Sequence, residues 1–100
     1  MNQNDPPTEH ILACLSSSPS NAKIVRTAAT MAKAFGGTFT ALYVRTPDSD
    51  QMGKEDCRRL QQHIRMAEQA GADISTIYGD DIPQQIAEFA RISGITKIVL

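Results

Sequence analysis

Four short runs of branched and aromatic residues recur along the chain: "HILACL" (10–15), "TFTALYV" (38–44), "ADISTIY" (72–78) and "ITKIVL" (95–100). Between them the apolar residues repeat at intervals of three and four, as they do on one face of a helix. This alternation constrains the fold more than any other feature. A strand followed by a helix and another strand closes by a right-handed crossover, so successive strands lie parallel and helices cover the sheet. The order β-α-β-α-β-α-β therefore reads as an α/β protein: a three-layer parallel sheet with helices on both faces.

The helices carry their own start and stop signals. In the first, Ile24, Ala28, Met31, Ala32 and Phe35 share a face; Pro19 fits the first helical position with Ser18 as cap, and Gly36 and Gly37 end it. "RTPDSD" (45–50) reads as a loop held extended ahead of Pro47. The second helix runs from about Lys54 to Ala70, with Cys57, Leu60, Ile64 and Ala67 inward and Gly71 closing it. In the third, Asp81 and Gln84 form a capping box, Ile82, Ile86, Phe89 and Ala90 face inward, and Gly94 ends the run. The third strand is the most polar and belongs at an edge. Residues 1–9 read as a polar arm, extended at Pro6 and Pro7, and residues 10–100 as the folded domain. Because the chain stops on an apolar strand, a further helix and a fifth strand are expected to follow, the domain being incomplete at its C-terminus.

Charge and composition exclude several roles. The net charge is −1 with no long run of one sign, so nothing marks a general nucleic-acid or membrane-surface binder. No apolar run approaches the ~18 residues a membrane span needs. "MNQNDPPTEH" lacks the basic-then-apolar order of a signal peptide. Cys14 and Cys57 show no CxxC spacing and read as free thiols in a reducing compartment. His10 and His63 read as isolated and away from strand ends, so neither a metal cluster nor a Ser-His-Asp set is expected. There is no Walker loop and no GxGxxG, and "FGGTF" enters a strand rather than a helix.

In open α/β sheets ligands bind beyond the carboxyl ends of the strands. The exit of the first strand is Leu15-Ser16-Ser17-Ser18. Two readings of Ser16, Ser17 and Ser18 stand side by side: short hydroxyls for phosphate or ribose beside the unpaired amides of a helix start, or turn formation and capping. Lys23 and Arg26 lie near that helix start, where a bound anion would relieve an unfavourable dipole contact; a solvated face is the alternative. Near the end of the second strand Tyr43 could stack a base and Arg45 pair with phosphate, or Tyr43 could simply be packing. Thr40 sits two positions before Leu42 on the same side of that strand. Asp80 and Asp81 read as capping.

Four stretches, "ILACLSSSPSNAKIVRTAATMA", "FTALYV", "AEQAGADISTIYGDDIPQQIAEFAR" and "ITKIVL", give the chain a family likeness from His10 to Leu100. It resembles the universal stress protein (USP) domain, in the version carried by KdpD-type potassium sensor histidine kinases. The first two stretches fit a spaced motif, SxS then FTAxY, with residues 19–38 between. The resemblance implies a USP-like (adenine nucleotide alpha-hydrolase-like) sheet of order 3-2-1-4. It implies a cytoplasmic regulatory module whose parent chain sits in the inner membrane, signals through the response regulator KdpE and controls potassium uptake. In some members the motif accompanies binding of cyclic di-AMP, which makes Ser16, Ser18, Phe39, Thr40, Ala41 and Tyr43 candidate positions. No metal or obligatory cofactor is implied. ATP binding in the usual family mode is not expected, because Leu15-Ser16 stands where an acidic residue is usual and the glycine-rich phosphate loop would lie past Leu100. None of the kinase catalytic residues fall in this stretch, so the fragment itself is not read as an enzyme. The alternative reading is a protein-interaction module that docks another universal stress protein or a neighbouring kinase domain.

Overall fold

Each expected strand and helix forms, in the expected order, in a computed structural model that describes residues 9–100. The elements are β1 (His10–Cys14), α1 (Asn21–Phe35), β2 (Thr38–Arg45), a 3-10 turn (Pro47–Gln51), α2 (Lys54–Gln69), β3 (Asp73–Tyr78), α3 (Ile82–Ile92) and β4 (Lys97–Val99). The sheet order is β3-β2-β1-β4 and every pairing is parallel. The predicted sheet order and the edge position of the third strand are both found. The extended arm predicted at Pro6 and Pro7 lies outside the described residues.

The pleat splits the core into two layers. Ile11, Ala13, Phe39 and Ala41 face α1 and α2, where they meet Val25, Ala28, Ala32, Leu60 and Ala67. Leu12, Leu42 and Val44 face the other way, toward Ile77, Ile86, Phe89 and Ile95. The α3 layer is the thinner one: no α3 residue is fully buried.

Four helix expectations are corrected. The buried stripe of α1 is Asn21, Val25, Ala28 and Ala32, one position round from the predicted face. Phe35 is half exposed at the helix end, with the Lys97 ammonium 5.3 Å from its ring centre. On α2 the buried residues are Leu60, His63 and Ala67, while Cys57 is exposed. On α3, Ile82 is exposed rather than inward. At β1's exit, Pro19 does not open the helix. The Ser18 carbonyl accepts from Asn21 N–H at 2.9 Å, so Pro19 and Ser20 are the middle of a β-turn and α1 starts at Asn21. At the other end Gly36 takes the left-handed conformation (φ 65°) that glycine tolerates, and its N–H caps the helix by bonding to the Ala32 and Lys33 carbonyls.

Candidate functional site

A hollow of about 470 Å³ opens at the carboxyl edge of the sheet, a size that accommodates a small ligand. Cys14, Leu15, Ser16 and Ser17 from the β1 exit form one wall. Asn21 and Ile24 of α1, then Leu42, Tyr43 and Val44 of β2, form the next. Thr46, Asp48, Ser49 and Met52 around the 3-10 turn, and Ile82, Ile86 and Leu100, close it. A groove of about 560 Å³ lies at the opposite edge, between the C-terminal ends of α1 and α2. Helix C-termini present carbonyls and negative dipole ends, which disfavour an anionic ligand there.

Ser16, Ser17 and Tyr43 therefore line one space. The other expected residues do not line it. Ser18 is exposed in the turn, and Lys23 and Arg26 are exposed on α1. Thr40 lies three positions before Tyr43, on the opposite face of the sheet. Arg45 points away, bonded to Asp50 at 2.7 Å with its guanidinium 5.6 Å from the Tyr78 ring. The Asp50 hydrogen bond raises the pKa of Arg45 further. The first wall is apolar at its base, where burial pushes the Cys14 thiol up to about 11.

The serines are occupied mainly in shaping the turn. Ser16 Oγ accepts from Ser18 N–H at 3.2 Å, and Ser18 Oγ pairs with Ser20 Oγ at 2.9 Å. Tyr43 is fixed through its hydroxyl, which donates to Ser49 Oγ at 3.1 Å; Ser49 Oγ also accepts from Thr46 N–H at 3.0 Å. An aromatic ring tethered at its rim is a rigid wall for a flat ligand.

Three side chains that the sequence reading missed hold the β1–α1 loop. Asn21 accepts from Ser16 N–H at 3.0 Å and donates to the Cys14 carbonyl at 2.8 Å. His63 Nδ1 is 2.7 Å from the Ser16 carbonyl. Arg59 donates to the Ser17 carbonyl at 3.0 Å while paired with Asp56. The expectation that neither histidine lies near a strand end is thus wrong: His10 opens β1, and the His63 ring meets the β1 exit. The sequence clue was its place inside the apolar stripe of α2, between Leu60 and Ala67. A polar side chain in such a stripe needs a partner, and the partner here is forty-seven positions away. Among the described residues there is no cluster of three or more metal-ligating side chains, and no helix is long and apolar enough to cross a membrane.

The model of the universal stress protein family matches residues 7–100. The chain belongs to the universal stress protein family. This universal stress protein domain is 39% identical over 93% of its length to the sensor protein KdpD of Clostridium acetobutylicum, and 29% identical over 90% to the sensor protein KdpD of Escherichia coli K12. It spans 10% of the length of each. Among solved structures, a universal stress protein in complex with cAMP superposes with a TM-score of 0.67 at 16% identity, over 90% of this chain and 69% of that one. That likeness is one of fold.

Proposed function

We propose that this domain is the nucleotide-binding regulatory module of a KdpD-type sensor histidine kinase, and that the hollow at the carboxyl edge is its ligand site. The observation that carries the reading is the convergence of the β1-exit serines and the tethered Tyr43 ring on one space of ligand size. Resemblance to sensor protein KdpD over nearly the whole chain supplies the context, and the cAMP complex of a protein of the same fold supplies the ligand class. Cyclic di-AMP is the specific candidate, through the SxS and FTAxY spacing. In this reading the parent kinase sits in the membrane with this domain on its cytoplasmic side, phosphorylates KdpE and adjusts potassium uptake. A ligand would act by favouring one arrangement of the parent over another, to the extent of its differential affinity.

The test is a melting experiment with cyclic di-AMP, cAMP and ATP on the wild type and on Tyr43→Leu. A nucleotide at about 100 times its dissociation constant stabilises by ~2.7 kcal/mol, several degrees for a domain of this size. The rise is expected with cyclic di-AMP and is lost in the variant. A flat response to all three favours the docking alternative, which draws support from the exposed apolar side chains of Ile92, Ile98 and Leu100.

A further inference from the structure

The carbonyls of Cys14, Ser16 and Ser17 leave β1 and each accepts a hydrogen bond from a side chain: Asn21 at 2.8 Å, His63 at 2.7 Å and Arg59 at 3.0 Å. Two of the three donors come from α2. Arg59 and His63 are four positions apart and so lie one above the other on the helix face that meets the loop. Asn21 and His63 are both nearly inaccessible, at 1% and 4% exposure. Because a carbonyl only accepts, His63 Nδ1 carries the proton in this contact.

The consequence follows from peptide geometry. In a trans peptide the carbonyl of one residue and the N–H of the next point to opposite sides. Pulling the Ser16 carbonyl onto His63 therefore turns the Ser17 N–H away from α2. That N–H has no hydrogen-bond partner among the described residues, and Ser17 lines the hollow. Ser16 N–H and Ser18 N–H, by contrast, are taken by Asn21 and by Ser16 Oγ.

We propose that Asn21, Arg59 and His63 are positioning residues, which set the peptide planes of the β1–α1 loop so that the Ser17 amide is left as the hydrogen-bond donor to an acceptor atom of the ligand. The proposal rests on the reading of the hollow as a nucleotide site. It places two of the determinants of that site, Arg59 and His63, on α2, outside the family motif that runs from the serines to Tyr43.

The decisive comparison uses His63→Leu and His63→Asn in the whole chain. Leucine and asparagine have nearly the same shape, but asparagine carries an N–H₂ on Cγ where histidine carries Nδ1, so only His63→Asn keeps the donor. Ala67→Gly is the control: it loosens α2 away from the loop. The probes are cyclic di-AMP and cAMP, with affinity measured by calorimetry and the Ser17 amide followed by NMR. His63→Leu weakens binding about tenfold or more, and Arg59→Met weakens it in the same direction. His63→Asn restores most of the affinity, and Ala67→Gly lowers the melting temperature without moving it. The Ser17 amide resonance shifts on ligand addition in the wild type. Equal affinity in His63→Leu and wild type, failure of His63→Asn to restore binding, or a loss in Ala67→Gly as large as in His63→Leu overturns the positioning role while the site stands. A wild type that binds neither probe overturns the site itself and the role with it.

Discussion

Asn21 is the side chain on which the loop turn depends most, and replacing it with alanine measures how much. Its amide group satisfies one backbone donor and one backbone acceptor, Ser16 N–H at 3.0 Å and the Cys14 carbonyl at 2.8 Å, while 1% exposed. Each hydrogen bond contributes ~1 kcal/mol net, and a buried partner left without a mate costs more. The Ser16 end is only part-buried, so water recovers some of that loss, and the expected cost of Asn21→Ala is about 2–3 kcal/mol. For a domain of this size that lowers the melting temperature by roughly 10–20 °C. Asn21→Asp separates the two halves: the acceptor for Ser16 N–H remains and the α1 N-terminus favours the charge, but the donor to Cys14 is gone, so an intermediate loss is expected. Ser20→Ala is the contrast. Ser20 occupies the N-cap position but makes no capping hydrogen bond with its side chain, and its replacement changes stability by less than ~0.5 kcal/mol. Urea titration at constant slope reads all three. If Asn21→Ala costs no more than Ser20→Ala, the loop's backbone groups exchange to water freely and Asn21 does not hold the turn.

Asp81→Ala removes an acceptor that does cap a helix, taking Gln84 N–H at 3.2 Å; a loss of about 1 kcal/mol is expected in the same titration. At Gly37 an added Cβ would sit 2.2 Å from the Glu9 carbonyl oxygen, whereas at Gly53 it would meet nothing. Gly37→Ala is therefore expected to destabilise by about 1–3 kcal/mol and Gly53→Ala to be nearly silent, which melting curves of the two variants compare directly. The cysteines differ in reactivity: with its thiol at about 11, Cys14 holds almost no thiolate at pH 8, so a thiol reagent followed by mass spectrometry labels exposed Cys57 first.

The sheet was legible because its cues are local and redundant. Each strand run has a glycine or serine directly at one end at least, and the parallel order follows once strands and helices alternate. The face of α1 was misplaced by one position because Asn21 is polar and so does not count toward an apolar stripe, although it is buried. The loop geometry was not legible for a related reason. Residues 16–20 are four serines and a proline, with high turn and capping propensity at several adjacent positions, and where the turn gives way to the helix is decided by bonds from Asn21, Arg59 and His63. Those bonds span up to forty-seven positions, beyond the reach of any period or local motif. The same limit explains the candidate cations. Lys23, Arg26 and Arg45 are near the β1 exit or β2 end in sequence, yet helix rotation and strand alternation turn them outward.

That outward turn has an electrostatic consequence. Among the described residues, the ionisable side chains lining the hollow are Cys14, Tyr43 and Asp48, and no lysine or arginine lines it. A nucleotide held there would gain from stacking on Tyr43 and from backbone donors, while its phosphate would share the hollow with the Asp48 carboxylate. At a separation of ~7 Å in water that repulsion is ~0.6 kcal/mol, about threefold in affinity. Asp48→Asn should therefore tighten the binding of cAMP by about that factor at low salt, and the gain should fade as the Debye length shrinks from ~10 Å at 0.1 M toward ~3 Å at 1 M. Calorimetric titrations at the two salt concentrations measure it. Weaker binding by Asp48→Asn at both would show that the carboxylate accepts hydrogen bonds from the ligand's hydroxyls, and that the hollow selects for the sugar through Asp48 rather than merely tolerating the phosphate.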